Sequence, residues 1–255
     1  MARAVRAQEH LDELARRIDA ATTGAVSKMS ASARYGQGTF EATFRPKITP
    51  PLEWSILIGE VLYNLRSSLD HLAFQFPGRP AEIPEHRVSF PIFDKREAFE
   101  DHMRRNLPHL PGAAVERMDA LQPYGGWQGP QRAGQVHRLW LLNELCNVDK
   151  HRNLHFTQFF IRQTRYDVRG ATGPVEEQEF FRGGPVRDGT VLLKIRAAGV
   201  VDVDFWFAPD ITFDHATSGV HIAVDLSSAG VVDTLGQIHS LVADTILPDF
   251  RRRFF

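Results

Sequence analysis

The chain has 255 residues, 43% hydrophobic and 24% charged, with a formal net charge of −1. These are globular values, and the near-zero charge excludes a protein that coats nucleic acid by bulk electrostatics. One cysteine, Cys146, excludes an internal disulfide framework and a cysteine-based zinc ribbon.

The first ten residues are charged and carry no apolar core, so no secretory leader is expected. No apolar run approaches the ~18 residues of a membrane span, so no membrane partner is expected and the expected location is cytoplasmic. Apolar positions Val5, Leu11, Leu14, Ala15 and Ile18 predict a helix over 5–21, broken from Gly24 onward. Residues 39–44 alternate like a half-buried strand, with Phe40, Ala42 and Phe44 inward. Pro51 then suits the first turn of a long helix over 52–76, stopped by Pro77-Gly78.

A proline-rich irregular segment follows. Short helices are predicted at 95–105 and 111–121 and a third at 132–148, where Val136, Leu139, Trp140, Leu142 and Leu145 are apolar. Beyond Arg152 the period changes to two. Candidate strands hold Phe156, Phe159 and Ile161, then 177–182, 190–197, 201–207 and 221–225. Residues 230–253 return to a helical pattern. The expected fold is α+β: a mainly helical, bundle-like part over 1–152, an antiparallel sheet over 153–228 and a closing helix over 229–255. The strand at 39–44 would join the later sheet and make one domain.

The 52–76 helix has few charges. Ile58, Leu62, Leu65, Leu69, Ala73 and Phe76 form one apolar stripe, and Ile56, Tyr63 and Phe74 put bulk on the other side, so packing around most of the circumference is expected. At ~100° per residue, Glu53, Glu60, Asn64, Ser67 and His71 share a narrow arc, flanked by Arg66 and Asp70 at i,i+4 spacing. Buried charges need partners, so this seam is either a satisfied structural network or the wall of a site.

The second unusual place is the end of the 132–148 helix: Asn143, Glu144, Asn147, Asp149, Lys150, His151 and Arg152. The basic residues would complement the negative helix end. Asn143, Glu144 and Asn147 share a face with Lys150 or His151, so this end is expected to meet the Glu60–His71 seam. Glu144 or Asp149 would pair with Arg66 or His71, and Asp70 with Lys150 or Arg152.

Leu57-Ile58-Gly59-Glu60-x3-Asn64-Leu65-Arg66-Ser67-Ser68-Leu69-Asp70-His71-Leu72, then Leu121-Gln122-Pro123-Tyr124, then Asn147-Val148-Asp149-Lys150-His151-Arg152, resembles a widespread group of uncharacterised bacterial proteins. That group shares an N-L-R-S-x-L-D-H-L helix and a later D-K-H-R. This resemblance implies no activity. Arg66-x4-His71 also resembles the R-x4-6-H motif of HEPN-domain ribonucleases, which implies metal-independent RNA cleavage, usually across a dimer of helical bundles. Arg66 would stabilise charge on the pentacovalent phosphate and His71 would act as acid and base. RNA and a second copy would then be partners. The residue after the arginine is Ser67, where that superfamily usually has Asn, Asp or His, and a sheet is no part of its bundle.

No cofactor or metal is expected. Neither Glu60 nor Glu144 has a histidine three residues on, as a di-iron bundle requires. His151 and His155 have helical zinc spacing but run into a predicted strand. Gly36-x-Gly38 lacks a dinucleotide setting, Ser67 and Ser68 lie outside any nucleophile elbow, and Cys146 sits in an apolar stretch. Two main readings stand. In one, the chain is a HEPN-like ribonuclease with Arg66 and His71 catalytic, and with Glu60, Asn64, Ser67, Asp70, Glu144, Asn147, Asp149, Lys150, His151 and Arg152 supporting them or binding phosphate. In the other, it is a non-catalytic binding or scaffold protein in which the same groups form a structural lock. A small-molecule pocket lined by Trp140, Phe159, Trp206 and Phe207 is a third arrangement.

Overall fold

A computed structural model describes residues 2–28, 39–46, 49–125, 136–151, 157–171, 173–197, 202–213 and 230–255, with backbone alone at 24–28, 149–151 and 202. The fold is α+β. Helix α1 (Ala2–Lys28) leads through strand β1 (Thr39–Thr43) to α2 (Leu52–Phe74). A 3₁₀ turn (Glu85–Arg87), α3 (Arg96–Asn106), α4 (Gly112–Asp119) and α5 (Arg138–His151) follow. The strands come next: β2 (Thr157–Arg169), β3 (Val175–Phe180), β4 (Gly184–Pro185), β5 (Val191–Ala197) and β6 (Asp202–Phe213). A helical rod closes the chain, made of α6 (Val231–His239), a π-helical stretch (Ser240–Ile246) and α7 (Leu247–Phe254).

Helix α1 is longer than its apolar pattern, running past Gly24 to Lys28. Its stripe of Ala4, Ala7, Leu11, Leu14 and Ile18 is buried in the core with α2. Small residues near its start allow close approach, and His239 of α6 lies 3.3 Å from the Ala4 carbonyl. Helix α5 covers α2 from another side with Leu139, Leu142, Leu145 and Cys146. The π-helical stretch has a local cause. Pro248 lacks the N–H that would reach the Asp244 carbonyl, and its ring crowds that carbonyl, so the turn before it is wound wider. The helical apolar pattern over 230–253 does not reveal this feature. The expected strand at 221–225 lies outside the described residues, as do 152–156.

Two antiparallel sheets have the strand orders β1-β5-β3 and β4-β2-β6. Strand β1 does join the later strands, pairing with β5. The β2–β6 ladder has two halves. Phe159, Ile161, Ile211 and Phe213 close the helical core. Tyr166, Val168, Val203 and Phe205 instead pack on Phe40, Ala42, Leu193 and Ile195 of the other sheet. Between the halves, the register shifts between Ile161 and Gln163. The extra residue, Arg162, swings out to hold Asp210 at 2.6 Å and Asp233 in the first turn of α6 at 2.5 Å. A Cβ on Gly230 would come within 2.5 Å of the Asp210 carboxylate and 2.6 Å of Arg162 Nη2, so any other residue here would push this ion pair aside.

Helix α2 is packed on most of its circumference, as expected, but the bulky residues on its far side are not part of that packing. Leu52, Ile56, Tyr63 and Phe74 form an exposed stripe along its 23 residues, with the Arg3 guanidinium over the Tyr63 ring. Nor do the aromatic candidates gather into one pocket. Phe159 meets Phe44 edge-on in the core, Phe207 stacks on Phe205, and Trp206 lies exposed beneath Arg165.

Candidate functional site

The polar residues of α2 separate by direction. Their spacing makes this unavoidable: Arg66 and His71 are five residues apart, which is about 140° around the axis. The structure places them on different sides of the helix.

On the inner side, Arg66 and Asp70 pair with each other at 3.1 Å. Together they take both backbone polar groups of Phe90. Arg66 Nη2 donates to the Phe90 carbonyl at 2.8 Å, and the Phe90 N–H donates to Asp70 Oδ1 at 3.0 Å. The Phe90 ring is fully buried and meets Phe250 edge-on. Phe90 belongs to a buried extended segment, 88–93, that joins no strand. Buried backbone must find partners, and here side chains supply them. His102 Nε2 donates to the Ser89 carbonyl at 3.1 Å. Gln122, itself buried, donates from Nε2 to the carbonyls of Pro91 and Met118, each at 2.9 Å, and accepts the Phe93 N–H on Oε1 at 2.9 Å. Side chains from α2, α3 and the turn after α4 thus grip one strand-like segment.

Asn64 is buried but bonds its own helix, donating to the Glu60 carbonyl at 2.8 Å, and Ser68 does the same to the Asn64 carbonyl. His102 accepts from Asn106 on Nδ1, within 3.0 Å. Burial keeps this imidazole below its ordinary pKa, and the nearby Arg66 adds to the effect. Arg66 Nη1 is buried without a hydrogen-bond partner.

Arg66 and Asp70 pair with each other, whereas the pairs expected through Asp149, Lys150 and Arg152 fall on side chains that are not described. Glu144 is pushed up by burial and by the neighbouring Asp94 carboxylate. Asn147 is exposed. The side chains of Asp149, Lys150 and His151, and Arg152 as a whole, lie outside the described residues. Helices α2 and α5 do meet, through apolar side chains and a Cys146 Sγ contact of 3.6 Å with the Leu62 carbonyl. That contact accounts for a small buried residue there.

On the outer side, Glu60 and His71 are exposed and Ser67 is half-buried. His71 lines a cleft of about 610 Å³ between the C-terminal half of α2 and α7. Ser68, Leu72 and Gln75 line it from α2 and the residue capping it, and Leu247, Arg251 and Phe255 from α7 and its end. Arg66 is not among the lining residues. Asp249 lies on a different side of α7. Arg253 and Arg117 bond its carboxylate at 2.7 and 2.6 Å and hold its pKa below the usual range.

Sequence alone assigns no role to His102 or Gln122, and Arg251 reads there as part of a solvated helix end. Gln122 had a signal, a buried-looking amide in the Leu121-Gln122-Pro123-Tyr124 run, but no local pattern told where it reached. Among the described residues, no three His, Cys, Asp or Glu side chains gather to hold a metal, and no helix is long and apolar enough to cross a membrane. No family model, no curated protein and no solved structure matches the chain.

Proposed function

We propose that the protein is a non-catalytic binding protein, a helical scaffold in which the inner side of α2 is a structural lock. The observation that carries this reading is the double bond of Arg66 and Asp70 to the Phe90 backbone. An arginine that neutralises a reacting phosphate must present its guanidinium to that phosphate. Arg66 is only 14% exposed at its side chain and commits Nη2 to the Phe90 carbonyl and Asp70. Its removal would cost folding free energy rather than a chemical step. A lone thiol inside the core suits a reducing, cytoplasmic setting.

One observation favours the HEPN-like ribonuclease as a second reading: His71 is exposed in a cleft that also holds an arginine, Arg251. That reading requires RNA as substrate and, by the resemblance, a second copy of the chain. An RNA cleavage assay in EDTA decides between the two, run with wild type, Arg66→Ala and His71→Ala alongside their melting curves. The scaffold reading expects no cleavage above the buffer control and a lowered melting temperature for Arg66→Ala. Cleavage by the wild type that disappears in folded His71→Ala would overturn it.

A further inference from the structure

The structural lock makes no use of the outer side of α2. Leu52, Ile56, Tyr63 and Phe74 are exposed there and share an arc of about 40° around the helix. They are four of the eight large hydrophobic side chains exposed among the described residues, so the exposure is gathered on one helix face rather than scattered. The Tyr63 and Phe74 rings stay exposed even with the guanidinium groups of Arg3 and Arg79 over them. Ser67, Glu60, Glu53 and His71 follow about 40° to 80° further round, all on one flank. The side chains of Glu53, Glu60 and His71 have no ion pair among the described residues.

The stripe is symmetric about Tyr63. Leu52 and Phe74 stand eleven residues to either side of it, which is three turns. Ile56 stands seven before and Asp70 seven after. The Asp70 carboxylate is turned to Arg66 and the Phe90 N–H, so the apolar row is interrupted there. The polar flank matches itself in the same way. Glu53 stands ten before Tyr63 and His71 eight after, and Glu60 three before and Ser67 four after. An antiparallel second copy therefore sets Leu52 against Phe74 and Ile56 against the interruption. It also brings Glu53 within about 3 Å, measured along the helix, of the level of His71, and Glu60 nearer still to that of Ser67. A parallel copy would set Glu53 against Glu53 and Glu60 against Glu60.

We infer that two copies of the chain pair through this stripe, α2 against α2 and antiparallel, with Tyr63 on the two-fold axis. The patch is small. At about 33 Å by 10 Å it outlines roughly 330 Å² on each copy, against the ~800 Å² that each partner buries in a standard complex. The pair is therefore weak and reversible, with a Kd on the order of 100 µM. A scaffold and a ribonuclease would share this contact, so RNA cleavage or its absence leaves it standing.

Sedimentation equilibrium of the full chain from about 5 to 500 µM tests the pairing. A monomer at the low end that gives way to a dimer is expected. Tyr63→Glu, which puts two carboxylates on the axis, and Ile56→Glu are each expected to weaken it about tenfold or more at unchanged melting temperature. Disulfide trapping tests the register, with the native Cys146 buried. Tyr63→Cys is expected to crosslink to itself. Leu52→Cys and Phe74→Cys are expected to crosslink to each other when mixed and not when alone. A chain that stays monomeric up to about 500 µM overturns the inference, and leaves the stripe to a different protein. So does a dimer indifferent to both glutamates, or Leu52→Cys that crosslinks to itself as readily as to Phe74→Cys.

Discussion

The two sides of α2 use the same kinds of residue for opposite ends. Inside, Arg66 and Asp70 are a charged pair that stands in for a β-ladder, answering the N–H and C=O of Phe90. Outside, His71 stands one residue further along and borders open space with Arg251. Between them lies only a rotation of the helix, about 100° from Asp70 to His71. The contrast teaches that a motif read as one unit in sequence can be two devices in space. Helical phase, more than residue type, assigns each side chain its role.

That contrast can be broken by substitution, beginning where the largest effect is expected. Gln122→Ala removes three hydrogen bonds from a buried amide and strands the carbonyls of Pro91 and Met118 and the N–H of Phe93. At about 1 kcal/mol or more for each buried group left unpaired, urea denaturation should show a loss of about 3–4 kcal/mol. Asp70→Ala strands one N–H and leaves a mostly buried guanidinium unbalanced, for an expected loss of about 2–3 kcal/mol. Its neighbour makes the comparison sharp. His71→Ala should stay within about 0.5 kcal/mol of wild type, as exposed positions do. Equal losses at 70 and 71 would abolish the division into two sides.

The smallest effect is in pH. The His102 imidazole is held neutral by burial, so its folded pKa lies below the unfolded value near 6.5. The unfolded chain therefore takes up the proton first. The stability His102 contributes is present above that value and declines as pH falls through the folded pKa. Melting curves between pH 7.5 and about 5 should show wild type losing stability, and His102→Gln losing less of it across the same window.

Much of the frame was legible in the sequence. The 3.6 period found α2 to α4 within a few residues, and alternation found β1, β2 and β5, because each buries a face of regular spacing. The pattern also places β1 with the later strands, without saying that its partner is β5. The i,i+4 relation of Arg66 and Asp70 was visible, but their target was not. Residues 88–93 look like an irregular proline-rich loop, and nothing local says that side chains at 102 and 122 will serve their backbone. The exposure of Ile56, Tyr63 and Phe74 was missed for a related reason. Periodicity counts apolar residues on a helix, whereas burial depends on how many neighbours surround it, and that is a property of the whole chain. Glu144 was assigned a cationic partner by charge alone, and its actual neighbour is another carboxylate.

The widened turn ahead of Pro248 acts as a gear between two halves of one rod. Upstream of it, Leu235, Ile238 and Val242 address the core; downstream, Phe250 continues inward while Leu247, Arg251 and Phe255 border the cleft. Rewinding the same seven residues as an ordinary α-helix would turn everything after them by one residue's step, about 100°. Phe250 would leave its seat against Phe90, and the guanidinium of Arg251 would point away from His71. One loose turn thus keeps the strand-gripping interior and the open groove in step with each other.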